Sequence, residues 1–201
     1  MMVRLYYFDP SPNCRKVHLA LEEVGADYEI VHLDLTKGEQ KGADYLELNP
    51  NGKVPTIVDG DFVLWESNAI LAYLGEKYPA TELVPQDRLL RARVNQLLFW
   101  QATLLGPAVG SLFFASRIDH PTDPARVDAA RRDATRALAV LGALLGGRTT
   151  GVGQGLTIAD LALGPFVELA MDLGLEAPSQ CAPWLAALRG RKSWRKVYAG
   201  S

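Results

Sequence analysis

The first 78 residues combine short apolar runs with segments of helical periodicity. Runs rich in β-forming residues predict four strands, at residues 3–8, 28–33, 56–58 and 62–65. Apolar positions at helical spacing predict three helices between and after them: one ending at Gly25, one near residues 44–48, and one running from Ser67 to residue 78. The order of elements is therefore β-α-β-α-β-β-α, and its first three members form a βαβ unit with parallel strands.

Beyond residue 85 the pattern changes to helical periodicity without a convincing strand. Helices are predicted at residues 87–116, 124–145, 158–173 and 184–188. The chain is therefore interpreted as an α/β thioredoxin-like N-terminal domain followed by an all-α C-terminal domain. The N-terminal domain spans residues 1–78, a linker spans 79–85, and the helical domain spans 86–201.

The predicted helix at residue 158 has a strong start signal. Thr157 and Asp160 fit a capping box, and Leu156 and Leu161 occupy the two positions of a hydrophobic staple. The glycine-rich segment before it, residues 151–155, resembles a phosphate-binding loop. Because no strand precedes this segment and no Walker lysine follows it, we expect a flexible loop there.

Composition places the chain among ordinary globular proteins. Its 201 residues are 48% hydrophobic and 22% charged, and the net charge of −2 argues against a general nucleic-acid binder. The charge is unevenly distributed, because residues 1–78 carry a net −6 and residues 79–201 a net +4. That split suggests two units with different roles.

Cysteine usage and hydropathy indicate the compartment. Cys14 and Cys181 are too few for a disulfide framework, and the N-terminus lacks the apolar stretch of a signal peptide, so we expect a reduced, cytoplasmic protein. Residues 94–116 carry no formal charge, but they include several polar residues, so a buried helix is expected rather than a membrane span. The three histidines are dispersed, and no metal site is expected.

Three short motifs have suitable chemistry for binding a peptide-like thiol. Ser11 and Asn13 lie where a strand ends and a helix begins, and donors at a helix start can stabilise a thiolate. If the bond between Val54 and Pro55 is cis, the Val54 backbone can pair with an extended peptide. Glu66 with the amides and hydroxyl at Ser67 suits an amino-acid head group. Each motif also has an ordinary interpretation as a helix cap or a trans turn.

Together these motifs resemble the cytosolic glutathione transferase family across nearly the whole chain. The motifs that carry the resemblance are Ser11-Pro12-Asn13-Cys14-Arg15, Asn49-Pro50-Asn51-Gly52-Lys53-Val54-Pro55, Glu66-Ser67-Asn68-Ala69-Ile70 and Thr157-Ile158-Ala159-Asp160-Leu161. The resemblance implies a cis Pro55 and glutathione as co-substrate. It further implies roles for six residues: Ser11 at the sulfur, Val54 at the cysteinyl backbone, Glu66 and Ser67 at the γ-glutamyl group, and Lys53 with Gln40 at the glycyl carboxylate.

The family resemblance also implies an activity and an assembly. We expect a homodimeric detoxification enzyme that activates the glutathione thiolate for attack on a small electrophile, without binding nucleic acid or membrane. Disulfide reduction of the bacterial nu type, a peroxidase side activity, and a catalytically idle member that binds glutathione or a protein are the alternatives. In some branches of the family, a carboxylate on the first long helix reaches the amine of the glutathione bound to the partner subunit. This chain lacks that carboxylate, and Asn95 or Gln101 is expected to substitute or the contact to be absent.

Several residues near the proposed thiol site compete for a role. Tyr7 ends the first strand, where other branches use a tyrosine to activate the thiol. Cys14 completes a degenerate C-x-x-C with a serine first, and a small buried helix residue is the simpler interpretation. The resemblance to nu-type transferases makes Asn13 a catalytic candidate beside Ser11. The wall of the second-substrate pocket is predicted to include Tyr7, Leu112, Phe113, Phe114 and Arg117.

Overall fold

The computed structural model describes residues 2–116 and 123–199, and they form two compact units. The first unit comprises Met1–Val84 together with Lys192–Ser201, and the second comprises Pro85–Arg191. This division differs from the predicted helical domain at 86–201, because the final helix belongs to the first unit.

A four-stranded mixed sheet forms the centre of the first unit. Its strands are β1 (Val3–Tyr7), β2 (Tyr28–His32), β3 (Thr56–Asp59) and β4 (Phe62–Trp65), in the order β2-β1-β3-β4. β1 runs parallel to β2, with Val3 opposite Tyr28, and antiparallel to β3. β3 and β4 form the predicted hairpin. This arrangement confirms the thioredoxin-like fold.

Four helices complete the first unit: α1 (Pro12–Val24), α2 (Ala43–Leu48), α3 (Ser67–Lys77) and, after the second unit, α9 (Lys192–Val197). α1 ends as predicted at Gly25, whose φ of 64° is a left-handed conformation that glycine adopts without steric cost. The sequence pattern did not predict α9, because only two of its six residues, Trp194 and Val197, are apolar and no helical periodicity is visible.

Polar contacts with α1 explain why α9 belongs to the first unit. Lys196 donates to Glu22 at 2.6 Å, and Ser193 donates to Glu23. The guanidinium of Arg15 lies 4.6 Å from the ring centroid of Tyr198, which follows α9. The hydrogen-bonded partners lie 170 and 174 positions apart in sequence, so the local hydrophobic pattern cannot predict these contacts.

The second unit contains helices joined by turns and loops in residues 85–116 and 123–191, and no strand occurs in these ranges. Its helices are α4 (Arg88–Trp100), α5 (Gly106–Ala115), α6 (Pro124–Leu145), α7 (Ile158–Asp172) and α8 (Ala182–Arg189). A π-helical turn, Gln101–Leu105, joins α4 to α5 where a single helix was predicted.

Proline explains the π-helical turn between α4 and α5. Pro107 has no N–H, and its ring would clash with the carbonyl four residues earlier in a regular helix. The amide of Gly106 instead bonds to the carbonyl of Gln101, five residues back. A Cβ at residue 106 would lie 2.9 Å from that carbonyl oxygen, so only glycine fits here.

The helical run from Arg88 to Ala115 is less buried than predicted. It is long and apolar enough to span a membrane by length and composition, and 33% of its apolar window is buried. Phe99 and Phe114 are each about 70% exposed. The expectation of a buried helix is therefore wrong over most of this segment. Apolar residues surround much of the helix, and only one face of it packs against the rest of the second unit.

The start of α7 matches the predicted capping box. The N–H and the hydroxyl of Thr157 donate to Oδ2 of Asp160, at 2.8 and 2.9 Å. The other oxygen of Asp160 accepts from the amide of Gly151 at 2.6 Å and from the indole of Trp184 at 2.8 Å. The glycine-rich segment is therefore held at its first residue by Asp160.

Candidate functional site

The turn from β1 into α1 positions Ser11 at the start of the helix. Ser11 is the N-cap residue, and its hydroxyl oxygen accepts from the amide of Cys14 at 3.3 Å. Pro12 occupies the first turn, where a missing N–H costs nothing. The cap that the sequence suggested is thus present. It uses an acceptor lone pair of the hydroxyl, and a serine hydroxyl has a separate proton to donate.

Asn13 links this helix start to the start of α3. Its Oδ1 accepts a hydrogen bond from the hydroxyl of Ser67 at 3.1 Å. The two residues lie 54 positions apart in sequence, and both belong to motifs selected for their chemistry. Since the acceptor atom of Asn13 faces Ser67, any contact of Asn13 with an anion comes from its amide nitrogen.

The turn before α3 has an unusual backbone. Glu66 adopts φ 71°, which is rare for a residue with a side chain and is concentrated at functional sites. Its carbonyl accepts from the amide of Ile70 at 3.0 Å, so Glu66 is the N-cap. Ser67 was predicted to cap this helix and does not. It is the first helical residue, and its hydroxyl instead donates to Asn13.

The segment before β3 is held by two buried polar side chains that the sequence analysis missed. The peptide bond between Val54 and Pro55 is cis, as expected from the family resemblance. Tyr45 and Asn49 donate to the carbonyl of Lys53 at 2.6 and 2.8 Å. Val54 precedes the first paired residue of β3, so its backbone lies outside the sheet ladder.

Gln40 lies next to this segment, in the turn Glu39–Lys41. A Cβ at Gly52 would lie 2.8 Å from the carbonyl oxygen of Gln40, so the two loops are in close contact. Gln40 is half-buried, and its Oε1 has no hydrogen-bond partner among the described residues. Lys53 is exposed. The sequence-predicted residues Gln40 and Lys53 therefore flank one short stretch of surface.

Two rivals of Ser11 lie inside the core. Tyr7 is 3% exposed, and burial, together with the nearby Cys14, raises its pKa well above the usual value of a phenol. Burial raises the pKa of the Cys14 thiol to about 12, although hydrogen bonding to Ser11 acts in the opposite direction. Neither group can ionise near neutral pH, and the simpler interpretation of Cys14 as a buried helix residue fits its surroundings.

The predicted second-substrate residues do not share one environment. Leu112 is fully buried in the second unit, whereas the ring of Phe114 faces solvent and packs edge-on against Phe113 at 5.4 Å. Arg117 lies outside the described residues. Leu112 and Tyr7 are core residues, so the prediction that they contact a substrate is not supported by their exposure.

The residues expected to replace the missing carboxylate also differ. Asn95 is exposed on α4, whereas Gln101 is 2% exposed in the π-helical turn. Only Asn95 has a side chain that a partner molecule can reach. Among residues 2–116 and 123–199, no three His, Cys, Asp or Glu side chains cluster as a metal site would require.

Comparison with known proteins decides the family. Residues 1–76 match the family model of the glutathione S-transferase N-terminal domain, and residues 106–194 match that of the C-terminal domain. The chain belongs to the glutathione transferase family. The matched ranges lie within the predicted domains, and the motifs around Ser11, Val54 and Glu66 all lie in the N-terminal match.

Individual relatives cover most of the chain. Glutathione S-transferase 2 of Schizosaccharomyces pombe is 38% identical over 81% of this chain and 73% of its own length. The disulfide-bond oxidoreductase YfcG of Escherichia coli is 35% identical over 80% of this chain and 77% of its own. The glutathione transferase URE2P6 of Phanerochaete chrysosporium, solved with oxidized glutathione, has a TM-score of 0.89 at 34% identity, covering 98% of this chain and 95% of that one.

Proposed function

We propose that this protein binds glutathione in its N-terminal domain and stabilises the glutathione thiolate for attack on an electrophilic small molecule. The observation that carries the proposal is the 3.1 Å bond between Asn13 and Ser67. It joins a helix start suited to a thiolate to a turn suited to an amino-acid head group. A ligand with both groups, such as glutathione, can contact the two motifs at once.

At the thiol end, Ser11 is the proposed donor to the sulfur. The neutral Cys14 thiol beside it is a weak hydrogen-bond partner, and a charged thiolate is a much better acceptor. The amide of Asn13 and the first N–H groups of α1 add further donors. Lowering a thiol pKa by two units requires about 2.7 kcal/mol, which a few such donors can supply.

The other proposed site residues complement the backbone and the charged groups of the rest of the glutathione molecule. The Val54 backbone, outside the sheet ladder, suits the cysteinyl amide and carbonyl. Glu66 suits the γ-glutamyl ammonium, and the hydroxyl and amide of Ser67 suit its carboxylate. The exposed ammonium of Lys53 and the amide of Gln40 suit the glycyl carboxylate.

Titration of bound glutathione tests this mechanism directly. The ultraviolet absorbance of the thiolate is followed against pH for glutathione alone and for glutathione with excess protein. We expect the pKa of the bound thiol to fall by one to two units from about 8.5. Binding with an unchanged thiol pKa would identify a catalytically idle member of the family.

Disulfide reduction is a second candidate, in which glutathione supplies both thiols. Because Cys14 and Cys181 are buried, the protein offers no accessible thiol of its own. One glutathione thiolate would attack the disulfide and release the first substrate thiolate. A second glutathione thiolate would then attack the glutathione sulfur of the mixed disulfide, forming oxidized glutathione and releasing the second substrate thiolate. The relationship to a disulfide-bond oxidoreductase supports this reaction.

One preparation assayed with two substrates separates the candidates. A chloronitrobenzene reports conjugation, and a small disulfide coupled to glutathione reductase reports reduction. Turnover of the disulfide alone would place this protein with the reductases, whereas turnover of the aromatic substrate supports the transferase reaction. Activity with neither substrate, combined with an unchanged thiol pKa, would overturn the proposed function.

A homodimer is the proposed assembly, in the cytoplasm and in a detoxification role. Each unit exposes large apolar side chains, Phe62 and Trp65 in the first and Leu89, Phe99 and Phe114 in the second. The first unit carries a net charge of −4 and the second a net charge of +2, which favours contact between unlike units of two copies. Sedimentation velocity at low salt should give a dimer whose dissociation is faster at raised salt, and a monomer at low salt would contradict the proposal.

A further inference from the structure

Lys16 is a buried lysine on α1 that none of the proposed contacts uses. It is 1% exposed, and lysine is among the residues that proteins bury least often. Its ammonium donates to Oδ1 of Asn68 at 2.7 Å. Asn68 is the second residue of α3 and directly follows Ser67. A buried cation is thus attached to the helix start that the proposed head-group site uses.

The carboxylate of Glu66 acts on the buried ammonium of Lys16. Burial lowers the pKa of Lys16 to about 7, and the carboxylate of Glu66 acts in the opposite direction, favouring the charged ammonium. An apolar side chain of similar length would fill this position without the cost of burying a charge. The ammonium is therefore a costly choice for packing alone. Asn68 and Glu66, which both act on it, lie at the same turn.

Two hydrogen bonds tie α1 to this turn. Asn13 accepts from Ser67, and Lys16 donates to Asn68 three residues further along α1. Between them they fix consecutive residues of α3, immediately after the left-handed backbone of Glu66. Side chains that must hold a ligand need their own supports, and a small displacement of such side chains weakens binding.

We propose that Lys16 is a positioning residue for the head-group site, holding Glu66 and Ser67 through Asn68 in the geometry that receives the γ-glutamyl group of glutathione. This inference rests on the proposed function, since it assumes that glutathione binds at Ser67. Lys16 itself does not need to touch the ligand. Its effect should be confined to ligands that carry the γ-glutamyl group.

The test compares S-methylglutathione with S-methyl-cysteinylglycine, which lacks that group, by titration calorimetry. In the Lys16→Met variant the affinity for S-methylglutathione should fall about tenfold, as expected for loss of a charge-assisted hydrogen bond, while the dipeptide affinity changes less than twofold. The KM for glutathione should rise by a similar factor with kcat within about twofold of wild type.

Tyr28→Phe is the matched control on the other side of α1. Its hydroxyl contacts His18 and Glu22 rather than α3, so the variant perturbs the same unit and should leave both affinities unchanged. Asn68→Ala removes the acceptor of Lys16 at a half-buried position and should reproduce the selective loss. If Lys16→Met does not fold, Asn68→Ala still tests the positioning role of Lys16.

The outcomes separate this inference from the function on which it rests. If the wild-type protein binds neither ligand, the proposed function fails. If wild type binds S-methylglutathione and both variants bind it equally well, only the role of Lys16 is overturned. Equal losses for the two ligands in either variant would also overturn it, because they indicate a general disturbance of the unit.

Discussion

The starts of α1 and α7 are built from similar side chains but differ in how far the protein itself satisfies them. At α7, Asp160 is fully buried and accepts four hydrogen bonds from Thr157, Gly151 and Trp184. At α1, Ser11 and Asn13 are half-buried, and each has a donor beyond the contact that uses its acceptor.

This difference separates a structural cap from a candidate binding site. A helix start whose polar groups are all paired inside the protein offers nothing to a ligand, whereas one with donors at the surface can stabilise an anion. Both motifs fit the family resemblance equally well in sequence. Changes at the two helix starts should therefore have opposite consequences for stability and activity.

The largest effect is expected at α7. Asp160→Ala would leave four buried donors without their acceptor and should lower the free energy of unfolding by about 3–5 kcal/mol. Urea unfolding measures the loss. Asp160→Asn keeps the volume and one acceptor oxygen, so it should lose less. A stable Asp160→Ala protein would remove the proposed distinction between the two helix starts.

The next effect is expected at α1 and concerns activity. Ser11→Ala should reduce kcat/KM about 100-fold, as loss of a donor to a developing anion does elsewhere, while stability falls by only about 1 kcal/mol through the lost cap. Ser11→Thr preserves the hydroxyl and should retain most of the turnover. Unaltered turnover in Ser11→Ala would transfer the role to Asn13.

A smaller effect is expected on the pH dependence of the free energy of unfolding, and it comes from α1. His18 on α1 bonds to Tyr28 at 2.8 Å, and burial lowers its pKa to about 4. A histidine whose pKa is lowered by folding stabilises the fold at pH values above its pKa in the unfolded chain, about 6.5. This stabilisation is lost as the pH falls toward 4. Between pH 7 and pH 5 the loss should be about 2 kcal/mol.

Urea unfolding of wild type and His18→Gln at both pH values isolates that contribution. The variant should be less stable at pH 7 but lose less on acidification, so the gap between the two proteins narrows. Parallel losses would show that other groups cause the acid sensitivity. Asp160→Asn, compared at the same pH values, serves as the reference from the second unit.

The smallest expected effect comes from Asn13. Because its Oδ1 is already occupied by Ser67, only its amide is available to a thiolate, and Asn13→Ala should reduce kcat/KM about tenfold. Asn13→Asp keeps the acceptor for Ser67 and replaces the donor with a negative charge, so it should reduce turnover further. If Asn13→Asp were as active as wild type, Asn13 would act only through Ser67.

Much of the fold and part of the site could be predicted from local sequence. The strands, the end of α1 at Gly25 and the capping box at Thr157 depend on residues within a few positions of one another. The cis bond before Pro55 was expected only through the resemblance to the family. Lys16 was missed, although it precedes Leu19 and Ala20 by three and four residues and so lies on an apolar face of its helix.

The sequence by itself determined the order of elements, the two-part organisation and the motifs of a glutathione transferase. Only the tertiary structure decided that Tyr7 is buried, that Ser67 bonds to Asn13 instead of capping α3, and that α9 returns to the first unit. The physical reason is the distance along the chain between the residues that interact. Turns and caps form between neighbours in the chain, whereas burial and contacts such as that of Lys16 with Asn68, 52 positions apart, arise only when whole elements pack together.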